Sequence, residues 1–120
     1  MKRFLDDLRS HYGDAAVNVA QAGTTTLVMI KGVPIPRRRP VTTDVLIEVG
    51  DGSIGRGERP RVIVREDTTQ PNGRRGRNVN PTLAGGETWL AFSWNVDWNT
   101  SLPAWALVAG ALRRFSVNED

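Results

Sequence analysis

Cysteine is absent from these 120 residues, and histidine occurs once, as His11. The first absence excludes disulfides, thiolate metal sites and a thiol nucleophile. The second excludes a metal site built from several imidazoles, and leaves a serine–histidine pair only one residue to use. Most routes to enzymatic chemistry close with these two facts. Lysine is scarce, so nearly all the positive charge is carried by arginine. No apolar run approaches the length that crosses a bilayer. The opening "MKRFLDDLRS" has acidic residues directly after its basic start and no apolar stretch, which does not fit a secretory signal. The expectation is a single cytoplasmic domain spanning residues 1–120, with no membrane association and no cofactor.

The net charge of +3 is modest, but its distribution is uneven. Arg37, Arg38 and Arg39 form one cluster, and Arg74, Arg75 and Arg77 form another. Such clusters are either solvated loops or contacts for an acidic partner or a phosphate backbone. Acidic residues are spread along the same chain, and no aromatic residue is interleaved with the arginines. Both features weigh against nucleic acid.

Periodicity predicts an α+β domain. Phe4, Leu5, Leu8 and Tyr12 form one helical stripe over residues 1–12, and Gly13 is a plausible stop. "AVNVAQA", "TTTLVMIKGV", "VTTDVLIEV" and "RVIVR" predict four antiparallel strands near 16–22, 25–33, 42–49 and 61–65. The segment "VPIPRRRP" contains Pro34, Pro36 and Pro40, none with an amide donor. It is expected to be an extended loop outside the ladder. Residues 66–86 are almost devoid of apolar side chains and predict a long irregular crossing, of a length that usually carries function. "PAWALVAGALRRF" predicts a closing helix over 103–115, with Ser101 as its cap. Trp105, Leu107, Val108, Ala111, Leu112 and Phe115 are its expected buried side.

The stretch "TLAGGETWLAFSWNVDWN" places Trp89, Trp94 and Trp98 within ten residues. The segment "TWLAFSW" is either a strand or a buried extended segment; as a strand, alternation puts Trp89, Ala91 and Ser93 on one face and Leu90, Phe92 and Trp94 on the other. Large apolar groups on both faces predict core rather than a ligand platform, with the segment held between the sheet and the closing helix.

Three local patterns, in order, carry a resemblance. They are "RPRVIV" with Pro60 and Val62, "GVPIP" followed by "TDVLIEV", and "GGETWLAFSWNVDWN" before the last helix. Together they resemble the ubiquitin-conjugating E2 superfamily (the UBC-like fold), and within it the bacterial group called prokaryotic E2 family E, over about residues 4–115. The resemblance implies an N-terminal helix, a four-stranded antiparallel meander, a long irregular crossing and a C-terminal helix. It also implies three kinds of partner: a ubiquitin-like modifier, an E1-like adenylating protein and a JAB-type peptidase. A working member carries its modifier on a cysteine shortly after an asparagine that steadies the oxyanion. If Asn80 matches that asparagine, the cysteine position falls on Thr88 or, with a one-residue shift, on Trp89. The histidine of the motif becomes Asn78, and Gly55 and Arg56 replace a Tyr-Pro pair. Asn80, Thr88 and Trp89 are therefore vestigial candidates. The expectation is a non-catalytic E2-like protein that binds a partner through Arg74, Arg75 and Arg77. The alternatives are an Arg-loop nucleic-acid-binding domain, or an enzyme forming an oxyester on Thr88. That last route needs a base, and Glu87, being adjacent on an extended segment, points the opposite way. Ser93 is a weaker nucleophile candidate still, and His11 reads as a solvated residue at a helix end.

Overall fold

A computed structural model describes residues 1–93 and 96–118. Trp94 lies outside the described residues, so its expected place in the core is not assessed. The chain folds as an α+β unit with helices α1 (Lys2–Tyr12) and α2 (Ala104–Leu112). Its six strands are β1 (Val17–Ala22), β2 (Thr25–Ile35), β3 (Val41–Gly50), β4 (Arg61–Arg65), β5 (Val79–Ala84) and β6 (Glu87–Phe92). All pair antiparallel in one sheet of order β1-β2-β3-β4-β6-β5.

The first four strands are the expected meander. β6 takes the strand form, one of two readings of that segment, and β5 is a correction, because the irregular crossing ends at residue 78 and not at 86. The segment Val79–Ala84 alternates side chains, and Gly85 and Gly86 form a two-residue turn with φ of 57° and 79°. Positive φ at both central positions is what a tight hairpin turn of matching twist requires. The glycine pair before "ETWLAF" was the available signal.

A second correction concerns Pro34. It is a residue of β2, opposite Thr42 of β3. The pairing of β1 with β2 stops at Ile30, so the far end of β2 has a neighbour on one side only. A residue without an amide donor is tolerated on such a free edge.

The sheet buries one face against both helices. Val28, Ile30, Val45, Ile47, Val62, Val64 and Leu90 meet Phe4 and Leu8 of α1 and Leu107, Val108, Ala111 and Leu112 of α2. Phe115, in a 3-10 turn that ends the closing helix, packs edge-on to Phe92 at 5.0 Å. Trp98 is buried beside Phe4, and its indole N–H donates to the Pro103 carbonyl at 3.0 Å. The opposite face holds a smaller cluster of Leu46, Ile63, Ala84 and Trp89. Trp89 and Trp98 are core, as expected. The segment containing Trp89 is however a strand of the sheet, not a layer between sheet and helix. Alternation along β6 sends Trp89 to the small cluster and Leu90 to the large one.

Trp105 is the third correction. It is 37% exposed, and its ring stacks on the His11 imidazole at 4.7 Å. With Leu107, Val108 and Ala111 facing the sheet, position 105 falls at the margin of the buried stripe, above the end of α1. His11 is exposed but occupied by this contact. Ser101 is not the cap either. Pro103 precedes the helix, and the Ala104 N–H donates to the Asp7 carboxylate of α1 at 3.3 Å. No described helix is long and apolar enough to cross a membrane.

Leu112→Ala should lower the unfolding free energy by about 2–5 kcal/mol, since the side chain is fully buried. Trp105→Ala should cost less than that despite deleting a larger group. Urea denaturation of both variants checks the ranking, and a larger loss at Trp105 would contradict the exposed placement.

Candidate functional site

The hairpin register decides the fate of the vestigial centre. Asn80 is opposite Ala91 and Thr88 is opposite Leu83, so the two are three residues apart along the ladder. They also belong to opposite faces, because Asn80 shares a face with Thr82 and Trp89 while Thr88 shares one with Leu90. An oxyanion donor and a nucleophile must converge on one reacting atom. Asn80 and Thr88 do not converge. Trp89, the other aligned position, is 1% exposed and packed between Leu46, Ile63 and Ala84. Asn78, aligned with the motif histidine, is held at φ 57°, and its carbonyl accepts from the Ser93 N–H.

Thr88 is half-buried and lines an open basin with Thr42, Thr43, Asp44, Arg65, Glu66 and Asp67. Three carboxylates share its basin, but its hydroxyl donates to none of them among the described residues. Asp44 is already engaged. Its carboxylate pairs with Arg65 Nε at 3.0 Å and accepts from the Gly32 N–H at 3.0 Å. Burial pushes the Asp44 carboxyl up, but the Gly32 N–H, the Arg65 guanidinium and the Lys31 charge outweigh it and hold it below the usual carboxylate range. A carboxylate so stabilised is a poor base for a hydroxyl.

The same Arg65 pairs through Nη1 with Glu87 at 3.2 Å and lies 4.3 Å from the centre of the Trp89 ring. Glu87 is thus an ion-pair partner across the sheet, and no part of a Thr88 dyad. Arg65 also donates its backbone N–H to the Thr43 hydroxyl, which shares a hydrogen bond with Thr68.

Arg38, Arg39, Arg74, Arg75 and Arg77 are exposed and Arg37 is half-buried, and the two clusters sit near each other at one end of the sheet. Arg37, Arg38 and Arg39 lie between β2 and β3. Arg37 Nη1 donates to the Thr69 carbonyl at 3.2 Å, which ties this loop to the crossing. The crossing itself is ordered by its own hydrogen bonds. Gln70 N–H donates to the Arg74 carbonyl, Gly73 N–H to the Gln70 carbonyl, and Asn72 N–H to the Asn118 side chain at 2.8 Å. Buried Gln70 and Arg114 lie under it, and Arg114 donates to the Arg77 carbonyl. Gly76 has φ of 95°, and a Cβ there would fall 2.0 Å from Gln70 Nε2. The crossing is therefore pinned from beneath while Arg74, Arg75 and Arg77 remain on its outside. Sequence reading missed the contribution of Arg37 to this arrangement, because nothing in residues 37–39 announces which distant loop they will meet.

Two outcomes follow. Gly76→Ala should cost more than about 1 kcal/mol, since an L-residue at this φ is strained and its methyl group lands on a buried amide. A melting temperature equal to that of the parent chain would contradict the close approach. The folded-state pKa of Asp44 is lowered, so its contribution to stability is present above the unfolded value near 4 and is lost as pH falls through the folded value. Asp44→Asn should therefore be less stable than the parent at pH 7, with a gap that closes below about pH 4. Denaturation at the two pH values measures it.

No family model, curated protein or solved structure matches this chain.

Proposed function

We propose that the protein is a non-catalytic E2-like binding domain of a bacterial ubiquitin-like conjugation system. In this reading it holds a modifier, an E1-like or a JAB-type partner through its arginine loops. The observation that carries the proposal is the order of elements. One helix is followed by four strands that neighbour each other in chain order, then by a crossing and a closing helix on the same face of the sheet. This is the order that the resemblance of the sequence implies. The hairpin β5–β6 is an addition to it.

The absence of a thiol from the sequence and the separation of Asn80 from Thr88 support a binding role over group transfer. An oxyester on Thr88 would need a base in contact with its hydroxyl and an oxyanion donor on the same side. Neither accompanies Thr88 among the described residues. The exposed, ordered crossing supports contact with a partner, because a loop already fixed by internal hydrogen bonds loses little further freedom on binding.

Incubation with the activating protein and modifier encoded by neighbouring genes, together with ATP, should yield no covalent adduct on a gel. An adduct that disappears in Thr88→Ala would overturn the proposal. Co-purification with one of those products is expected. Changing Arg74, Arg75 and Arg77 together to alanine should weaken that complex by roughly tenfold or more, mainly through the association rate and most strongly at low salt. Unchanged affinity in this variant, with loss of binding to random-sequence DNA, would replace the partner-protein role with a nucleic-acid one.

A further inference from the structure

The loop bearing Arg37, Arg38 and Arg39 forms one wall of an open basin of about 1000 Å³, which Thr69, Gln70, Pro71 and Gly73 close from the crossing. Val41 and the C-terminal residues Ser116, Val117 and Asn118 complete it. Among the described residues, no acidic side chain lines it. We propose that this basin binds an extended acidic peptide segment of a partner protein, with carboxylates on the arginine wall and an apolar side chain between Val41 and Val117. The proposal rests on the partner-binding role above and names the chemistry of the segment bound.

Charge is the first argument. Arg38 and Arg39 are exposed and pair with no acid among the described residues. Arg37 is fixed by its bond to Thr69 and holds the base of the arginine wall in place. Planar guanidinium groups with free donors suit carboxylates, which accept two parallel hydrogen bonds.

Order is the second argument. Pro36 and Pro40 bracket the three arginines, and each fixes its own φ. The opposite wall is held by the Gln70, Gly73 and Asn72 hydrogen bonds. Both walls are thus pre-shaped, which lowers the entropy lost when a ligand binds.

The apolar rim decides between a peptide and a nucleic acid. Val41 is 39% exposed and Val117 57% exposed, and both line the basin. Exposed valines beside free arginines match the composition of a protein-binding surface. Among the described residues, no aromatic side chain lines the basin to offer a stacking platform for unpaired bases.

The test is fluorescence anisotropy of the full chain with a labelled short peptide that alternates glutamate with valine. The same peptide with glutamine for glutamate and a single-stranded DNA oligonucleotide are the comparison probes. The acidic peptide should bind, weaken with salt, and lose roughly tenfold or more in affinity in Arg38→Ala/Arg39→Ala. Val117→Ser should weaken it as well. Lys2→Ala/Arg3→Ala removes the same charge from α1 and should leave binding unchanged. Equal affinity in both double variants would overturn the proposal, as would equal binding of the glutamine peptide. Tighter, Arg38-dependent binding of the DNA would assign the basin to nucleic acid instead. If the conjugation partner binds through Arg74, Arg75 and Arg77 but the acidic peptide does not bind, this inference alone fails. If the peptide binds but no neighbouring gene product does, the conjugation role fails and the basin stands.

Discussion

One side chain, Arg65, ties three strands of the sheet together. It leaves the end of β4, ion-pairs with Asp44 on β3 and Glu87 on β6, and covers the ring of Trp89. Only Val64 and Arg65 of β4 are in register with β6, opposite Leu90 and Trp89. So short a ladder offers few backbone bonds, and the side-chain contacts of Arg65 make up for that at its margin. The groups are partly exposed, so each pair by itself contributes modestly. Their effect is positional, since they hold the hairpin β5–β6 against the meander at the point where the crossing returns.

With β6 held there, the sheet acquires two unlike faces. The helix side is deep and continuous, from Phe4 to Phe115. The other side is a small apolar group under the curled hairpin. A Cβ on Gly85 at the hairpin turn would lie 3.6 Å from Leu27 on β2, so the hairpin reaches back over the strands that precede it. Trp89 is buried there although both described helices pack on the other face. The two helices are linked independently of the sheet, through the bond from Ala104 to Asp7 and the stack of Trp105 on His11.

This arrangement separates rigid parts from available ones. The centre of the sheet spends its polar groups internally, as the Asp44–Arg65–Glu87 set and the Thr43–Thr68 pair illustrate. At the end of the sheet where β2 gives way to β3, the arginines are left facing solvent over loops that are themselves fixed. A surface with unspent donors on a rigid base suits recognition better than chemistry. The proposed binding role follows from that division of labour.

The meander was legible in the sequence because β-branched runs of period two, separated by Gly and Pro, dictate strands locally. The stripe Phe4, Leu5, Leu8 and Tyr12 dictated α1 for the same reason, and the lack of cysteine settled by itself that no thiol acts here. The strand character of Val79–Ala84 was masked by Asn80, Pro81 and Thr82, which this strand can carry because its outer edge needs no amide donor and most of its side chains are wholly or partly exposed. Pro34 misled in the same way, since only the ending of β1 makes its position a free edge. The exposure of Trp105, the capping of Ala104 by Asp7 and the meeting of residues 37–39 with 69–73 are all long-range placements. No local periodicity encodes them. They exist only once the sheet has brought residues distant along the chain together, and for that reason the tertiary structure alone decided where the arginines gather and why Asn80 and Thr88 cannot meet.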